Sequence, residues 1–333
     1  MVDRQVLREI VGQAARAPSI HNTQPWRFVA RGDTLELWTD PSRGLSVLDP
    51  SGRARHLSCG AALLHARVAA AGAGLAATVR LLPDPDQPEH LADLRLVEEE
   101  APPEDRELVA AIAARRTTRA PFSEEQLPRD VVSALRHAAE IEGCWLRVVD
   151  DREDAAGVAV LLARADDQQA ADPAYRDELR LWTGAADDDT EGVPDSAVPS
   201  RPPSARGSNY RLRDFVADRD DEPATAVSSE PPAVERPLIA VLGTRDDDVE
   251  AWLSAGQGVG RLLLAAAAQG VTASPMTQPL EVPDTRQRLV AQLGLVGHAQ
   301  MILRLGYAAE EPPPSTPRRP VEDILTEEPG RDQ

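Results

Sequence analysis

The chain has 333 residues, 55 of them acidic and 36 basic, and its net charge of −19 repels polyanions, which argues against a nucleic-acid partner. All the basic residues are arginine, and with only 5 Trp, 3 Tyr and 3 Phe the core must be built from aliphatic and alanine side chains. Cys59 and Cys144 stand alone, with no CxxC and no zinc-like Cys/His spacing, so neither a disulfide framework nor a structural metal is expected.

In chain order, residues 2–17 place Val6, Leu7, Ile10, Val11, Ala14 and Ala15 at the spacing of an amphipathic helix, with Asp3 positioned to cap it. The polar loop APSIHNTQPW follows, bracketed by Pro18 and Pro25. RFVARGDTLELWTD then reads as two short strands turning at Gly32 and Asp33. Residues 56–77 form a small-residue helix that is apolar nearly all round, which predicts burial. A helix over 106–114 ends at RRTTRAPF, and another begins at Val131 and leads into a strand carrying Trp145. A helix over 171–182 opens a Pro-, Ser- and Asp-rich excursion. PLIAVLGT (237–244) and HAQMILRLGYA (298–308) read as buried strands, and EEPPPSTPRRPVEDIL as an extended tail. No signal-peptide pattern and no run of about 18 apolar residues is seen, so a cytoplasmic protein without a membrane partner is expected.

An internal repeat organises these elements. SCGAALLHARVAAAGAGLAA (58–77) aligns without a gap with SAGQGVGRLLLAAAAQGVTA (254–273), with Ser58, Gly60, Ala69, Ala70, Ala71, Gly74 and Ala77 identical. Trp145 takes the place of Trp26. From Trp26 to Gly60 is 34 positions, whereas from Trp145 to Gly256 is 111, so the second copy carries about 77 extra residues. Between Ala138 and Trp145 it is five residues shorter than between Ala14 and Trp26, having lost the APSIHNTQP loop. The expected organisation is a first half over 1–105, a second over 106–333, and an insertion near 165–235 that forms a lid, an arm or a disordered excursion.

Two arginine clusters could carry chemistry. Arg115, Arg116 and Arg119 flank the hydroxyls of Thr117 and Thr118, and PRRP supplies Arg318 and Arg319. Guanidinium forks beside hydroxyls suit a phosphate dianion, although a solvated basic turn has the same composition. APSIHNTQPW can hydrogen-bond the edge of a heterocycle or simply end a helix in Asx-type turns. GQGVG (256–260) reads as helix packing, the six histidines are scattered, and no nucleophile elbow or HExxH occurs, so hydrolase and metalloenzyme chemistry find no support.

Together these motifs resemble the nitroreductase superfamily. APSIHNTQPWRFV is similar to its APSxxNxQPWxF loop, RRTTRAPF to its RRSxRxF phosphate motif, and RLGYA with PRRPVED to its C-terminal signature. Ordinary members are homodimers with FMN at the interface. Here the loop and the arginine motifs fall in different halves of one chain, an arrangement similar to the Acg-like subfamily. The resemblance implies an α+β nitroreductase-like fold in which two fused, pseudo-symmetric repeats mimic that homodimer, with a lid insertion and one FMN per chain.

By the same resemblance, Arg115, Thr117 and Arg119, with Arg116 beside them, hold the phosphate from one side, and Arg318 and Arg319 from the other. Ser19 and Asn22 meet the flavin ring, Pro18 and Ile20 line it, and Pro275, Met276 and Thr277 lie beside its reactive edge. No general acid or base is identified, as is usual where the flavin carries the chemistry. The implied activity is an NAD(P)H-dependent flavin oxidoreductase that reduces a nitroaromatic, a quinone or a similar small acceptor. The alternative is an FMN-sequestering protein occluded by its lid. A monomer mimicking a dimer and a homodimer are both open.

Overall fold

The computed structural model describes residues 2–186, 189–197, 210, 213, 215, 235–310 and 315–328. Helix α1 (Arg4–Ala14) starts where the Asp3 carboxylate accepts the Gln5 N–H, and it buries Leu7, Ile10, Val11 and Ala14. Strands β1 (Trp26–Arg31) and β2 (Thr34–Thr39) pair antiparallel across a turn at Gly32, whose φ of 60° favours glycine. Helix α2 (Arg53–Gly72) is buried along nearly its whole length, and strands β3 (Ala76–Leu81) and β4 (His90–Val97) complete the first half. Short helices α3 (Pro103–Arg106) and α4 (Val109–Ala114) lead to the arginine turn.

Helix α5 (Arg129–Ile141) precedes β5 (Trp145–Val149), followed by α6 (Arg152–Ala171), α7 (Pro173–Arg180) and the small strands β6 (Thr183–Ala185) and β7 (Val193–Pro194). Then come β8 (Leu238–Thr244), α8 (Val249–Ala268), β9 (Thr272–Pro275), α9 (Gln278–Glu281), α10 (Pro283–Gln292) and β10 (His298–Gly306). The chain ends in α11 (Val321–Ile324) and β11 (Leu325–Glu328). The sheets run β11-β1-β2-β4-β3 and β5-β8-β10-β9, so the order β1-β2-β4-β3 recurs in the second half as β5-β8-β10-β9. Strand β8 is buried at nearly every position because α8 covers one face of its sheet and α6, α9 and α10 the other.

Helices α2 and α8 cross at the centre, and each residue of α2 has its counterpart 196 positions on in α8. A Cβ at Gly60 would stand 2.2 Å from the Leu253 carbonyl oxygen, and one at Gly256 would stand 2.1 Å from the Leu57 carbonyl oxygen. Leu57 and Leu253 are themselves counterparts. The contact therefore has the reciprocity of a two-fold axis, and only glycine permits so close an approach. The GQGVG glycines are thus helix-packing residues.

Several expectations need correction. The helix expected over 106–114 breaks between α3 and α4. Strands β3 and β4 and the long helix α6 were not anticipated, and α6 runs across the expected start of the insertion at 165. Much of 165–235 lies outside the described residues. The tail is not merely extended: β11 pairs parallel with β1, so a segment of the second half completes the first sheet and the division at 105 is crossed by the chain's end.

Candidate functional site

A cleft opens between the N-terminal half of α2, the middle of α8 and the edge strand β9. Leu57, Ala61, Val259 and Leu263 form its apolar walls, and it encloses about 1010 Å3 of atom-free space, its open mouth included. Pro18, Ser19 and Ile20 border it from the APSIHNTQPW loop, and Ser274, Pro275 and Thr277 from β9 and the turn after it. A second, polar pocket adjoins it, sharing Pro18, Ser19, Thr117 and Arg119, and adding Asn22, Arg115, Arg116, Thr316 and Arg318. The two spaces together suit a ligand with a flat apolar body and an anionic end.

The loop bordering both pockets is strained. His21, Asn22 and Gln24 have φ of 45°, 56° and 48°, in a region that non-glycine residues enter at a cost of about 1–3 kcal/mol each. Specific hydrogen bonds hold it there. The Gln24 N–H donates to Ser19 Oγ at 3.0 Å and the Ile20 N–H to Ser58 Oγ at 3.1 Å. Asn22 Nδ2 donates to the Gly192 carbonyl at 3.0 Å, and Gln24 Nε2 to the Thr190 carbonyl at 2.7 Å. What remains unpartnered faces a ligand's needs: both His21 ring nitrogens, Asn22 Oδ1 and Arg115 Nε are buried without a hydrogen-bond partner. Burial, with Arg213 and Arg119 nearby, keeps the His21 imidazole well below its usual range and so neutral.

The arginine pocket is electrostatically one-sided. Among the described residues, no acidic side chain lines it. Burial, then the charges of Arg116 and Arg16, lowers Arg115 to about 10, and burial with Arg115, Arg16 and Arg116 brings Arg318 to about 9. Burial and Arg213 lower Arg119 to about 10. Such a crowd of guanidiniums in a chain of net charge −19 calls for an anion. The turn is fixed to the second half, where the Thr118 N–H donates to the Ala273 carbonyl at 2.9 Å. Arg318 is fixed to the end of α1, its Nε donating to the Ala15 carbonyl at 2.9 Å.

Described residues of the 165–235 segment pack against the 46–48 loop and border the cleft. Glu178 of α7 accepts hydrogen bonds from Ser46 Oγ and from the Val47 and Leu48 N–H groups at 2.8–3.1 Å. Arg213 lines the cleft and pairs with Glu281 at 2.6 Å while donating to the Tyr175 hydroxyl. Phe215 lies between the Arg119 guanidinium, 4.8 Å from its ring centre, and the His21 ring at 5.7 Å.

The sequence profile of the Nitroreductase family matches residues 112–307. Over 330 residues the chain is 35% identical to a Mycobacterium tuberculosis protein named "Putative NAD(P)H nitroreductase acg", covering 98% of this chain and 96% of that one. It is 37% identical over 331 residues to "Putative NAD(P)H nitroreductase Rv3131" of the same species, covering 97% and 92%. The chain belongs to the nitroreductase family. A solved structure of a nitroreductase with bound FMN from Desulfitobacterium hafniense aligns with 66% of this chain and 97% of its own at 17% identity and a TM-score of 0.41. Among the described residues, no helix of this nitroreductase-family chain is long and apolar enough to cross a membrane.

Of the residues expected at the site, Pro18, Ser19, Ile20, Asn22, Arg115, Arg116, Thr117, Arg119, Pro275, Thr277 and Arg318 line one pocket or the other. Two do not. Met276, the residue after β9, is fully buried in the core beneath the second sheet, its N–H donating to the Ile302 carbonyl. Arg319 turns toward Glu191, 3.7 Å away, and contributes its N–H to Gln24 Oε1. His21, Arg53, Ser58, Arg213, Phe215 and Gln300 line the cleft without having been singled out. His21 sat within the quoted loop and Ser58 among the repeated positions. Nothing in sequence marked the others.

Proposed function

We propose that this protein binds one FMN per chain and acts as an NAD(P)H-dependent oxidoreductase toward a small nitroaromatic, quinone or similar acceptor. The carrying observation is the pocket of Arg115, Arg116, Thr117, Arg119 and Arg318, with no acidic lining among the described residues, opening directly into an apolar cleft. Arg115 and Arg318, whose guanidiniums both reach carbonyls just after α1, would hold the phosphate through charge-assisted hydrogen bonds. Ser19, Asn22 and the unpartnered Asn22 Oδ1 fit the polar edge of the ring, and Leu57, Ala61, Val259 and Leu263 its apolar body. When bound, the flavin supplies the hydride chemistry. The chain's own part is to position it, exclude water and shape access. The matching strand orders and the reciprocal α2/α8 contact support two fused repeats, with the functional cleft formed by both.

The test is a visible spectrum of the purified protein before and after anaerobic NADH or NADPH. A flavin spectrum that bleaches within seconds is expected, and a colourless protein unable to take up FMN would overturn the reading. The position of Arg213 and Phe215 over the cleft favours a second reading, FMN sequestration. Deleting residues 185–232 distinguishes them. Faster nicotinamide oxidation after deletion marks the lid as a barrier, and an unchanged rate in a folded protein removes that role.

A further inference from the structure

We infer that Arg53 forms an anion-selective end of the acceptor site, favouring flat acceptors that carry a carboxylate. This rests on the flavoprotein reading. Arg53 is the first residue of α2, it lines the cleft beyond Leu57 and Ala61, and it is buried. Among the described residues, the hydrogen bonds of its guanidinium run from one terminal nitrogen to the Gln300 carbonyl at 2.7 Å and to Gln300 Oε1 at 3.3 Å, both neutral groups. Gln300 is itself fixed, its Nε2 donating to Thr244 Oγ1 at 3.0 Å and to Asp247 Oδ1 at 2.9 Å.

Each nearby carboxylate is engaged elsewhere. Asp49 caps α2 by accepting the Ala54 and Arg55 N–H groups at 3.0 and 2.9 Å. Asp247 takes the Arg286 fork at 2.8 and 2.9 Å. Glu281 holds Arg213. The guanidinium of Arg53 is thus positioned by the Gln300 carbonyl and side-chain oxygen, with its remaining N–H groups left to the cleft. Burial is the leading cause that lowers it to about 10, which leaves it charged at neutral pH. A buried, oriented guanidinium that pairs with no carboxylate among the described residues is suited to a bidentate carboxylate.

Calorimetric titration of the flavin-loaded protein with 4-nitrobenzoate and with its neutral isostere 4-nitrobenzamide tests this. The carboxylate is expected to bind at least about tenfold more tightly, and Arg53→Gln to erase the preference while leaving the amide within about twofold. A wild-type ratio near one overturns the inference without any variant. So does a preference that survives Arg53→Gln, which would assign the charge to Arg119 or Arg213. A changed flavin reduction potential in Arg53→Gln with the carboxylate preference intact also overturns it, placing the guanidinium against the flavin. A protein that takes up no flavin sinks the flavoprotein reading as well, whereas one that loads and bleaches normally but shows no preference sinks only the Arg53 assignment.

Discussion

On one side of the α2/α8 crossing lies the cleft. On the other, the counterpart positions are filled by a buried ionic cluster. Ala61 and Leu263 line the cleft, and the residues 196 positions away from them are Gln257 and Arg67, which hydrogen-bond each other at 2.9 Å. Arg67 also pairs with Glu142 at 2.8 Å, and Arg261 pairs with both Glu142 and Asp105. His65, the counterpart of Arg261, is a small neutral ring hydrogen-bonded at 2.9 Å to the Ala61 carbonyl. Glu142 sits in the short turn between α5 and β5, where the first half carries the APSIHNTQPW loop. One end of the α2/α8 crossing holds a space and an arginine turn; the other is filled by paired charges.

The largest expected effect is on the closed side. Glu142→Ala leaves Arg261, almost fully buried, and Arg67 short of a counter-charge, and breaking such a cluster costs about 3–5 kcal/mol. Urea unfolding should show that loss while the flavin content of the folded protein is unchanged. A loss of under about 1 kcal/mol would mean that water reaches the cluster and screens it.

On the open side, Arg115→Ala removes a charge-assisted contact worth about 2–3 kcal/mol, so FMN should bind roughly 30- to 150-fold more weakly. An unchanged dissociation constant would take Arg115 out of the site. The same substitution at Arg4, which is exposed and whose ion-pair distance to Glu327 is 3.7 Å, should leave FMN binding alone.

How far these two sides were legible in sequence follows from the range of the forces involved. The arginine turn and the strained loop could be read because each is a contiguous string whose residue types match one chemistry. The crossing helices could be read because their repeat is local and ungapped. The ionic cluster could not: Arg67, Asp105, Glu142, Gln257 and Arg261 are scattered over the chain, and each resembles an ordinary surface residue until the fold assembles them. Arg53 and Gln300 were hidden in the same way. Strands β3 and β4 carry interspersed charges such as Arg80, Asp93 and Arg95 that blur alternation. Strand β11, with LTEE as its whole sequence, is defined by the β1 edge it joins rather than by its own pattern.

A pH titration separates the sides more gently. His56 and His65 are buried and neutral, pushed down to about 4 and about 3 chiefly by burial. Unfolding frees them to bind protons below their ordinary value of 6.5. Stability should therefore be level above that pH and fall as pH drops toward 4, by up to about 1.4 kcal/mol per unit for each histidine. His65→Leu should flatten the slope. A slope unchanged by that substitution would show that His65 does not remain neutral in the folded state.

The smallest expected effect is the most informative about the comparison. Arg67→Leu with Gln257→Ala rebuilds on the closed side the apolar pair that lines the open one, leaving Glu142 to Arg261. If an apolar space were all that the second side lacked, this double variant would begin to take up flavin there. The α5–β5 turn, however, supplies neither the unpartnered polar atoms of the strained loop nor any counterpart to Arg115, Thr117 and Arg318, so a flavin ring entering that space would bring its phosphate to no cation. Flavin per chain, measured from visible absorbance against protein concentration, should stay at about one. A rise toward two would show that the apolar space alone captures the ring, and the arginine turn would lose its place as the feature that makes one end of the molecule a site.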